Sequence, residues 1–324
     1  MGVFEVADGV YQIRTPLQDR FTNIYVIVGD GEAAIYDVGV KGTVEAYVMP
    51  ALCRLGITEK SVREVILSHC DVDHYGDIRA ARSFFPEARI SAHLLDAAEI
   101  ERFNTFLERR GNGFAAPYGF PESPEALLWC REQVEEAPLD AKIHGDMQIS
   151  VGSRELDILH VPGHTLGHLA IYDRHTGSAI ISDAVLGQSV DSSHGAPLFP
   201  PTYRHVGQYL STIDQVGQLG AEALFTAHFH DMRSEDVDGF LDSSRHIVAL
   251  LESAVLDAFP ESGGQSFSLE QLTENVSRVG WPWPNTASLI ALAFPVAGHL
   301  EHLTDRGVLD TELTNTGHIE WRLA

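Results

Sequence analysis

The first forty residues alternate apolar and polar positions between short turn sequences, which is the pattern of half-buried β-strands. Strands are predicted over residues 10–15, 23–28 and 33–36, and the Gly-Asp-Gly sequence at 29–31 predicts the hairpin turn between the last two. An apolar period typical of a helix follows over 43–55 and ends at Gly56. The chain therefore begins with a small antiparallel sheet that leads into a helix.

Strands and helices alternate along the next part of the chain. The pattern predicts strands at 64–67, 89–92, 147–151, 155–160, 169–172, 178–181 and 223–226, and helices at 76–85 and 205–219. Residues 94–136 interrupt this order with helical stretches and a Gly- and Pro-containing loop, which predicts a helical insertion over a site. Two series of strands, each followed by helices, favour an α/β fold in which two sheets pack together with helices outside.

The last part of the chain, residues 246–324, has a different character from the predicted catalytic domain at 1–245. Helical patterns at 238–256, 269–279 and 286–305 precede two strands, at 308–313 and 318–323, that are joined by an Asn-Thr-Gly turn. This order is winged-helix-like, but three arginines stand against ten Asp and Glu from residue 246 onward, a balance of −7. Since phosphate contact needs basic residues, a packing, dimerisation or lid role is favoured over DNA binding.

Charge and composition narrow the class of partner. With 22 Lys and Arg against 46 Asp and Glu, the formal net charge is −24, which argues against nucleic acid and anionic membrane surfaces. The three cysteines are odd in number and irregularly spaced, so we expect reduced thiols in a cytoplasmic protein. Neither a signal peptide nor a membrane span is predicted. The expected partner is a small-molecule substrate, and a homodimer is an open alternative.

Potential metal ligands follow four separate predicted strands. They occur in HCDVDH (His69, Asp71, Asp73, His74), in GHTLGH (His164, His168), in SDA (Asp183) and in AHFH (His228, His230). One histidine after a strand is usually an ordinary polar residue, but four such groups at strand ends point to a metal site held by a rigid scaffold.

These motifs resemble the metallo-β-lactamase-fold superfamily, in which H-x-H-x-D-H is followed by GHTxGH, by a strand that ends in Asp and by a last His. The resemblance covers roughly residues 1–245 and includes the IYDVG turn at 35–39. It implies an αββα four-layer sandwich with a dinuclear site at one edge of the sheets, to which this chain adds the small C-terminal extension.

The resemblance also implies a role for each ligand. One metal ion would be held by His69, Asp71 and His164, and the other by Asp73, His74 and His228. Asp183 would bridge the two ions, and His168 would orient a ligand rather than bind metal. His230 is the alternative to His228.

This chain departs from the family pattern at Asp71, where the family has a second His. A carboxylate in place of an imidazole makes the ligand set harder and more negative. Zinc is implied by the family, whereas manganese or iron is favoured by Asp71.

Such a site predicts a hydrolase of a small ester, thioester or lactone, similar to glyoxalase-II-like thioesterases and lactonases. Two cations roughly 3.5–4 Å apart would generate a bridging hydroxide that attacks the carbonyl carbon. Asp73 would hold or accept the proton, and Tyr203 or Arg204 would polarise the carbonyl. The predicted apolar cleft is lined by Phe114, Tyr118, Phe120, Phe199 and Tyr203.

Two other classes of function stay open. A non-heme diiron oxidoreductase or oxygenase acting on O2, NO or an organic substrate is motivated by Asp71, although no flavin-binding domain is recognisable. A non-catalytic binding module is disfavoured by the intact set of seven ligands. Nuclease activity is disfavoured by the acidic charge.

Overall fold

The computed structural model describes residues 2–260, 264–284 and 289–324, and its first sheet has seven strands in sequence order. The strands are β1 (Val3–Ala7), β2 (Val10–Leu17), β3 (Arg20–Gly29), β4 (Glu32–Tyr36), β5 (Val62–Ile66), β6 (Arg89–His93) and β7 (Ala141–Ile143). The first four are antiparallel, and β4 to β7 are parallel. The parallel half needs crossover connections, and these connections carry the helices of one outer layer.

The second sheet has six strands in the order β15-β14-β11-β10-β9-β8. They are β8 (Met147–Val151), β9 (Arg154–His160), β10 (Leu169–Asp173), β11 (Ser178–Ser182), β14 (Ala223–Thr226) and β15 (Met232–Arg233). Strands β11 and β14 are parallel, so the helix between them crosses back over the outer face. A short ribbon of β12 (Val190–Asp191) and β13 (Pro197–Phe199) lies in the β11–β14 connection.

The helices form the two outer layers. They are α1 (Met49–Leu55), α2 (Val72–Tyr75), α3 (Ile78–Phe84), α4 (Ala97–Glu101), α5 (Phe103–Phe106), α6 (Ala115–Tyr118), α7 (Pro124–Glu132), α8 (Val206–Gln218), α9 (Glu235–Asp257), α10 (Leu269–Ser277) and α11 (Leu289–Asp305). A π-helical turn, Val44–Val48, leads into α1, a 3-10 turn, Glu59–Ser61, precedes β5, and a second π-helical turn, Leu107–Gly111, follows α5.

Three hydrophobic clusters separate the layers. Tyr25, Ile158 and Phe225 belong to the cluster between the two sheets. A second cluster packs the first sheet against α1 and α3, and the third packs the second sheet against α8, α9 and the C-terminal helices. This is the predicted αββα sandwich, which the structure confirms.

The C-terminal residues pack on the sandwich through the third hydrophobic cluster. Strands β17 (Leu309–Leu313) and β18 (Ile319–Leu323) pair as predicted, and a short β16 (Phe267–Ser268) adds to their edge. The predicted boundary at 245/246 lies within the continuous helix α9, and side chains from both sides of it, such as Leu241 and Leu300, share one cluster. The division into two domains therefore stays a prediction.

Most predicted elements occur within a few residues of their expected bounds. Strands β1, β7, β12, β13, β15 and β16 were not predicted, because each is short and carries little periodicity of its own. The start of the predicted helix 286–305 and part of the Gly-rich segment near 260–266 lie outside the described residues. Within the described parts of the chain, every helix is too short or too polar to cross a membrane.

Candidate metal centre

Four segments bring the predicted ligands to one edge of the sandwich. His69 and Asp71 follow β5, and the short helix α2 carries Asp73 and His74. His164 and His168 lie in the β9–β10 connection, Asp183 directly follows β11, and His228 comes two residues after β14. Because these strand ends meet at the same edge of the two sheets, residues more than 150 positions apart in the sequence become neighbours.

Asp73, His74 and His228 form a group that could hold a metal ion, which we call the second cluster. Nε2 of His74 and of His228 lie 3.6 and 3.4 Å from Asp73 Oδ2. Asp183 Oδ2 is 3.5 Å from His74 Nε2 and 3.2 Å from His228 Nε2. Tetrahedral ligands at about 2.0–2.2 Å from a cation are separated by about 3.4 Å, so these spacings suit a small divalent ion.

His69, His164 and Asp183 form the first cluster, whose ligand atoms also lie within 4.8 Å of one another. Asp71 is not a member of this group. Its Oδ2 atom is 2.9 Å from His164 Nε2 and 3.5 Å from His69 Nε2, so the carboxylate borders the cluster. Both of its oxygens also accept hydrogen bonds from Arg110, each at 2.7 Å.

The fit of these residues to metal ions is supported by polar atoms that lack a protein partner. Among the described residues, His69 Nε2, His74 Nε2 and Asp183 Oδ1 are buried and make no hydrogen bond. Buried polar atoms are normally paired, so three unpaired atoms aimed at one region indicate a place for a cation. The donor set of imidazoles and carboxylates suits zinc, manganese or iron.

The other ring nitrogen of each of three histidines is held by a protein oxygen. Nδ1 of His74 lies 2.9 Å from Asp37 Oδ2, and Nδ1 of His69 lies 2.9 Å from Ser68 Oγ. Nδ1 of His228 donates to the carbonyl oxygen of Phe21 at 2.8 Å. In each case the contact at Nδ1 directs Nε2 towards the clusters, which is the arrangement found around metal-binding histidines.

Asp96 ties the two histidine-bearing loops together. Its carboxylate accepts hydrogen bonds from the Cys70 amide at 3.1 Å, from Thr165 Oγ1 at 2.7 Å and from the Gly167 amide at 2.7 Å. A Cβ atom on Gly167 would lie only 2.5 Å from Asp96 Oδ1, so this close approach requires glycine. Cys70 itself is buried and packs in the core, as its sequence context predicts.

The charge environments of the two clusters differ. Burial disfavours a charged His74, yet Asp73, Asp37 and Asp183 together raise its pKa well above the ordinary value. Burial and the neighbouring His74 instead lower the pKa of His69 to about 4. Burial would raise the pKa of Asp71, but Arg110 holds it well below its usual range. The second cluster is therefore rich in negative charge, whereas the first is not.

Besides Asp71, three of the predicted site residues lie outside both clusters. His168 is buried with its ring stacked on that of His69, at 4.6 Å between centroids. His230 is exposed, so the structure brings His228 and not its alternative to the second cluster. Tyr203 is fully buried, stacks on Tyr209, and its hydroxyl lies 2.8 Å from His299 Nε2.

The placement of Tyr203 corrects its expected contact with substrate. A fully buried hydroxyl with a protein partner cannot reach a carbonyl in the cavity, so Tyr203 is a packing residue at this position. Arg204, the other predicted polarising group, is paired with Glu301.

A cavity of about 300 Å³ opens in front of the clusters. Its polar wall contains Asp71, Asp73, Asp183 and His228 together with Arg20 and Arg110, and its apolar wall contains Phe106, Trp129, Phe199, Ile290 and Phe294. Residues of the 94–136 segment and of helix α11 thus face the same space. Of the five aromatic residues predicted to line the cleft, Phe199 does so; Phe114 and Tyr118 line a neighbouring cavity of about 520 Å³.

The sequence analysis did not predict the contacts of Asp37 and Arg110 with the clusters, or the position of helix α11 beside the cavity. Asp37 directly follows β4 with a left-handed backbone, φ +66°, and receives hydrogen bonds from the Ser68 amide and hydroxyl. An aspartate directly after a strand was the available signal, but nothing local linked it to His74. Nothing in the local sequence of Arg110 linked it to Asp71, which lies 39 positions away.

Comparison with known proteins agrees with this arrangement. A family model described as the Metallo-beta-lactamase superfamily matches residues 17–228. A hydroxyacylglutathione hydrolase from Thermosynechococcus vestitus is 24% identical over 187 residues, which are 57% of this chain and 56% of that protein. The chain thus matches little more than half the length of this curated relative.

Two crystal structures share the fold over nearly the whole chain. A metallo-beta-lactamase family protein from Thermus thermophilus has a TM-score of 0.72 at 22% identity, covering 98% of this chain and 99% of its own. A beta-lactamase domain protein from Burkholderia ambifaria has a TM-score of 0.72 at 19% identity, and the match covers 99% of this chain and 93% of that protein. With the family model matched over most of the chain and the histidine and aspartate motifs gathered at one edge of an αββα sandwich, this protein belongs to the metallo-β-lactamase superfamily.

Proposed function

We propose that the protein is a metal-dependent hydrolase of a small ester, thioester or lactone, with a dinuclear centre. The observation that carries this proposal is the pair of clusters beside a cavity of about 300 Å³. Asp183 belongs to the first cluster, and its Oδ2 lies 3.5 and 3.2 Å from the two histidines of the second. The distant relative named hydroxyacylglutathione hydrolase supports a hydrolytic reaction of a thioester or related substrate.

In this proposal each cluster holds one divalent cation. His69, Asp71 and His164 would hold the first ion, Asp73, His74 and His228 would hold the second, and Asp183 would contact both. When bound, the ions would lower the pKa of a water molecule and polarise the substrate carbonyl. Zinc is favoured by the family, and manganese or iron by the additional carboxylate.

In this proposal, side chains of the protein position the metal ligands and take part in proton transfer. Asp73 Oδ2 accepts a hydrogen bond from Thr22 Oγ1 at 3.3 Å and faces the cavity. Burial would raise the pKa of Asp73, but His74, His228 and Arg20 lower it, which favours the ionised carboxylate, the form that could bind a cation. His168, stacked on His69, would keep that ring in place.

The apolar wall of the cavity supports a small organic substrate. Phe106, Trp129 and Phe294 give the cavity an apolar lining that excludes water, while Arg20, which also lines it, offers a positive charge. Polar groups converging on an otherwise apolar pocket are typical of small-molecule sites. The acidic chain and its few basic residues disfavour a nucleic-acid substrate.

A substrate panel with a matched pair of variants tests the proposal. Chelator-treated protein, reloaded with zinc or manganese, is assayed on chromogenic esters, thioesters and lactones. We expect hydrolysis that is lost in His228→Asn and retained in His230→Asn, since only His228 belongs to a cluster. Metal-loaded protein that cleaves nothing on the panel would overturn the hydrolase proposal. Oxygen or nitric oxide consumption by iron-loaded protein with a reductant, without hydrolysis, would instead favour the oxidoreductase.

A further inference from the structure

Arg110 is fixed against Asp71 by several contacts. Its Nε and Nη2 atoms donate to Asp71 Oδ1 and Oδ2, each at 2.7 Å, and its Nη1 donates to the carbonyl oxygen of His164 at 3.1 Å. The ring of Phe294 covers the guanidinium, 4.6 Å from its central carbon. The Arg110 side chain is only 10% exposed, so its charge is poorly screened by solvent.

This guanidinium lies directly beside the first cluster. Arg110 Nη2 is 3.1 Å from His164 Nε2, the same nitrogen that faces Asp71 Oδ2 at 2.9 Å. Asp71 is thereby drawn into an ion pair at the position where the family pattern has an uncharged imidazole. The negative charge that Asp71 adds to the first cluster is cancelled by a fixed cation.

The second cluster differs, because Arg20 lines the same cavity and lowers the pKa of Asp73 but forms no ion pair with that carboxylate. Over the described parts of the chain, no lysine or arginine forms an ion pair within 4.0 Å of Asp73 or Asp183. Asp37 adds a further buried carboxylate behind His74. The two clusters therefore have a similar number of imidazoles but different net charge.

We propose that Arg110 makes the two halves of the centre unequal, so that the second cluster binds a divalent cation tightly and the first cluster binds one weakly. This inference rests on the proposed function, in which both clusters hold a cation. Its physical basis is the repulsion between a divalent ion and a guanidinium a few ångströms away, at a site shielded from solvent. Arg110 also competes with the first ion for the two oxygens of Asp71, which weakens the contribution of this proposed ligand.

Removing the charge of Arg110 tests this directly. Metal-free protein is titrated with zinc against a competing chromophoric chelator, and bound zinc per chain is measured by elemental analysis. In the wild type we expect one equivalent to bind at least about tenfold more tightly than the second. In Arg110→Met the weaker equivalent should gain about tenfold or more in affinity, while the tighter one changes little.

Two further variants accompany Arg110→Met: one should shift the weaker affinity in the opposite direction, and the other is a control. Asp71→Asn leaves the Arg110 charge uncompensated, so the weaker equivalent should become weaker still. Arg109→Met removes a neighbouring charge that is 62% exposed and paired with Glu99, and both affinities should stay as in the wild type. Circular dichroism of each metal-free protein reports folding, and Arg110→Gln, which also removes the charge, is titrated in its place if Arg110→Met does not fold.

The outcomes separate this inference from the proposed function. Two equivalents of equal affinity in the wild type, or a weaker equivalent that Arg110→Met fails to strengthen, would overturn the inference and leave the hydrolase intact. A wild-type chain with one bound ion that gains a second in Arg110→Met would support it. A chain that binds no zinc in any variant would overturn both.

Discussion

Oδ2 of Asp37 lies 2.9 Å from Nδ1 of His74, and both side chains are almost completely buried. The same carboxylate accepts hydrogen bonds from the Ser68 amide, the Ser68 hydroxyl and the Ser182 hydroxyl at 2.7, 2.8 and 3.1 Å. Asp37 thus joins the ends of β4, β5 and β11 behind the clusters. It orients a candidate ligand without facing the cavity itself.

Asp37→Asn should weaken metal binding without removing a ligand. The amide cannot accept every bond that the carboxylate accepts, so His74 loses its fixed orientation, and we expect the affinity of the second cluster to fall about 10- to 100-fold. The free energy of unfolding should fall by about 1–3 kcal/mol. Chelator competition and thermal unfolding measure these effects, with the exposed Asp8→Asn as control. Unchanged zinc affinity would mean that Asp37 serves the fold alone.

Asp183→Ala should remove metal binding from both clusters together. Asp183 belongs to the first cluster, and its Oδ2 lies 3.5 Å or less from both histidines of the second. We expect hydrolysis to fall at least about 100-fold along with zinc content. Elemental analysis and the chromogenic assay measure both, and the exposed Asp236→Ala is the control. Retention of two ions per chain would refute the shared position of Asp183.

Phe294→Ala should weaken substrate binding, because it removes a contact that the C-terminal helix α11 makes with the cavity. Phe294 lines the cavity, covers Arg110 and packs edge-on against Phe114 at 4.9 Å between centroids. We expect KM to rise roughly tenfold for an apolar substrate of the panel, with a smaller change in kcat, since the lost contact binds substrate and transition state alike. Leu250→Ala, exposed on α9, is the control. A variant with wild-type KM would show that α11 only packs against the site.

His93 should make the stability of the protein depend on pH. Burial, together with the neighbouring His160, lowers the pKa of His93 from 6.5 to about 4. Because the folded state holds its proton less tightly than the unfolded state, the stabilisation is complete above pH 6.5 and is lost as pH falls towards 4. The midpoint of thermal unfolding of metal-free protein should therefore fall more steeply with acidification in the wild type than in His93→Asn.

His93 Nδ1 accepts a hydrogen bond from the Leu95 amide at 3.3 Å, and the side-chain oxygen of Asn can also accept one. A difference between the wild type and His93→Asn therefore reports the loss of the titrating imidazole. The exposed His194→Asn should retain the wild-type slope. Equal slopes for the wild type and His93→Asn would show that another group controls the acid sensitivity.

The sequence by itself determined the candidate ligands and the layers. Periodicity located most strands, and the motifs placed His69, His74, His164 and His228 at strand ends, where a shared sheet edge gathers them. Local pattern is sufficient for this because a ligand next to a strand end moves with that strand. Tyr203 was misjudged for the opposite reason, since its burial depends on α11, whose His299 lies 96 positions further along the chain.

Only the tertiary structure decided how the charges around the centre are distributed. Arg110 meets Asp71 across 39 residues, Asp37 meets His74 across 37, and Phe294 reaches the cavity from the far C-terminal helix. None of these partners has a local pattern that specifies the other, because their contact depends on how separate elements pack. The electrostatic difference between the two clusters is therefore a property of the packing of the sandwich with its insertion and its C-terminal helices.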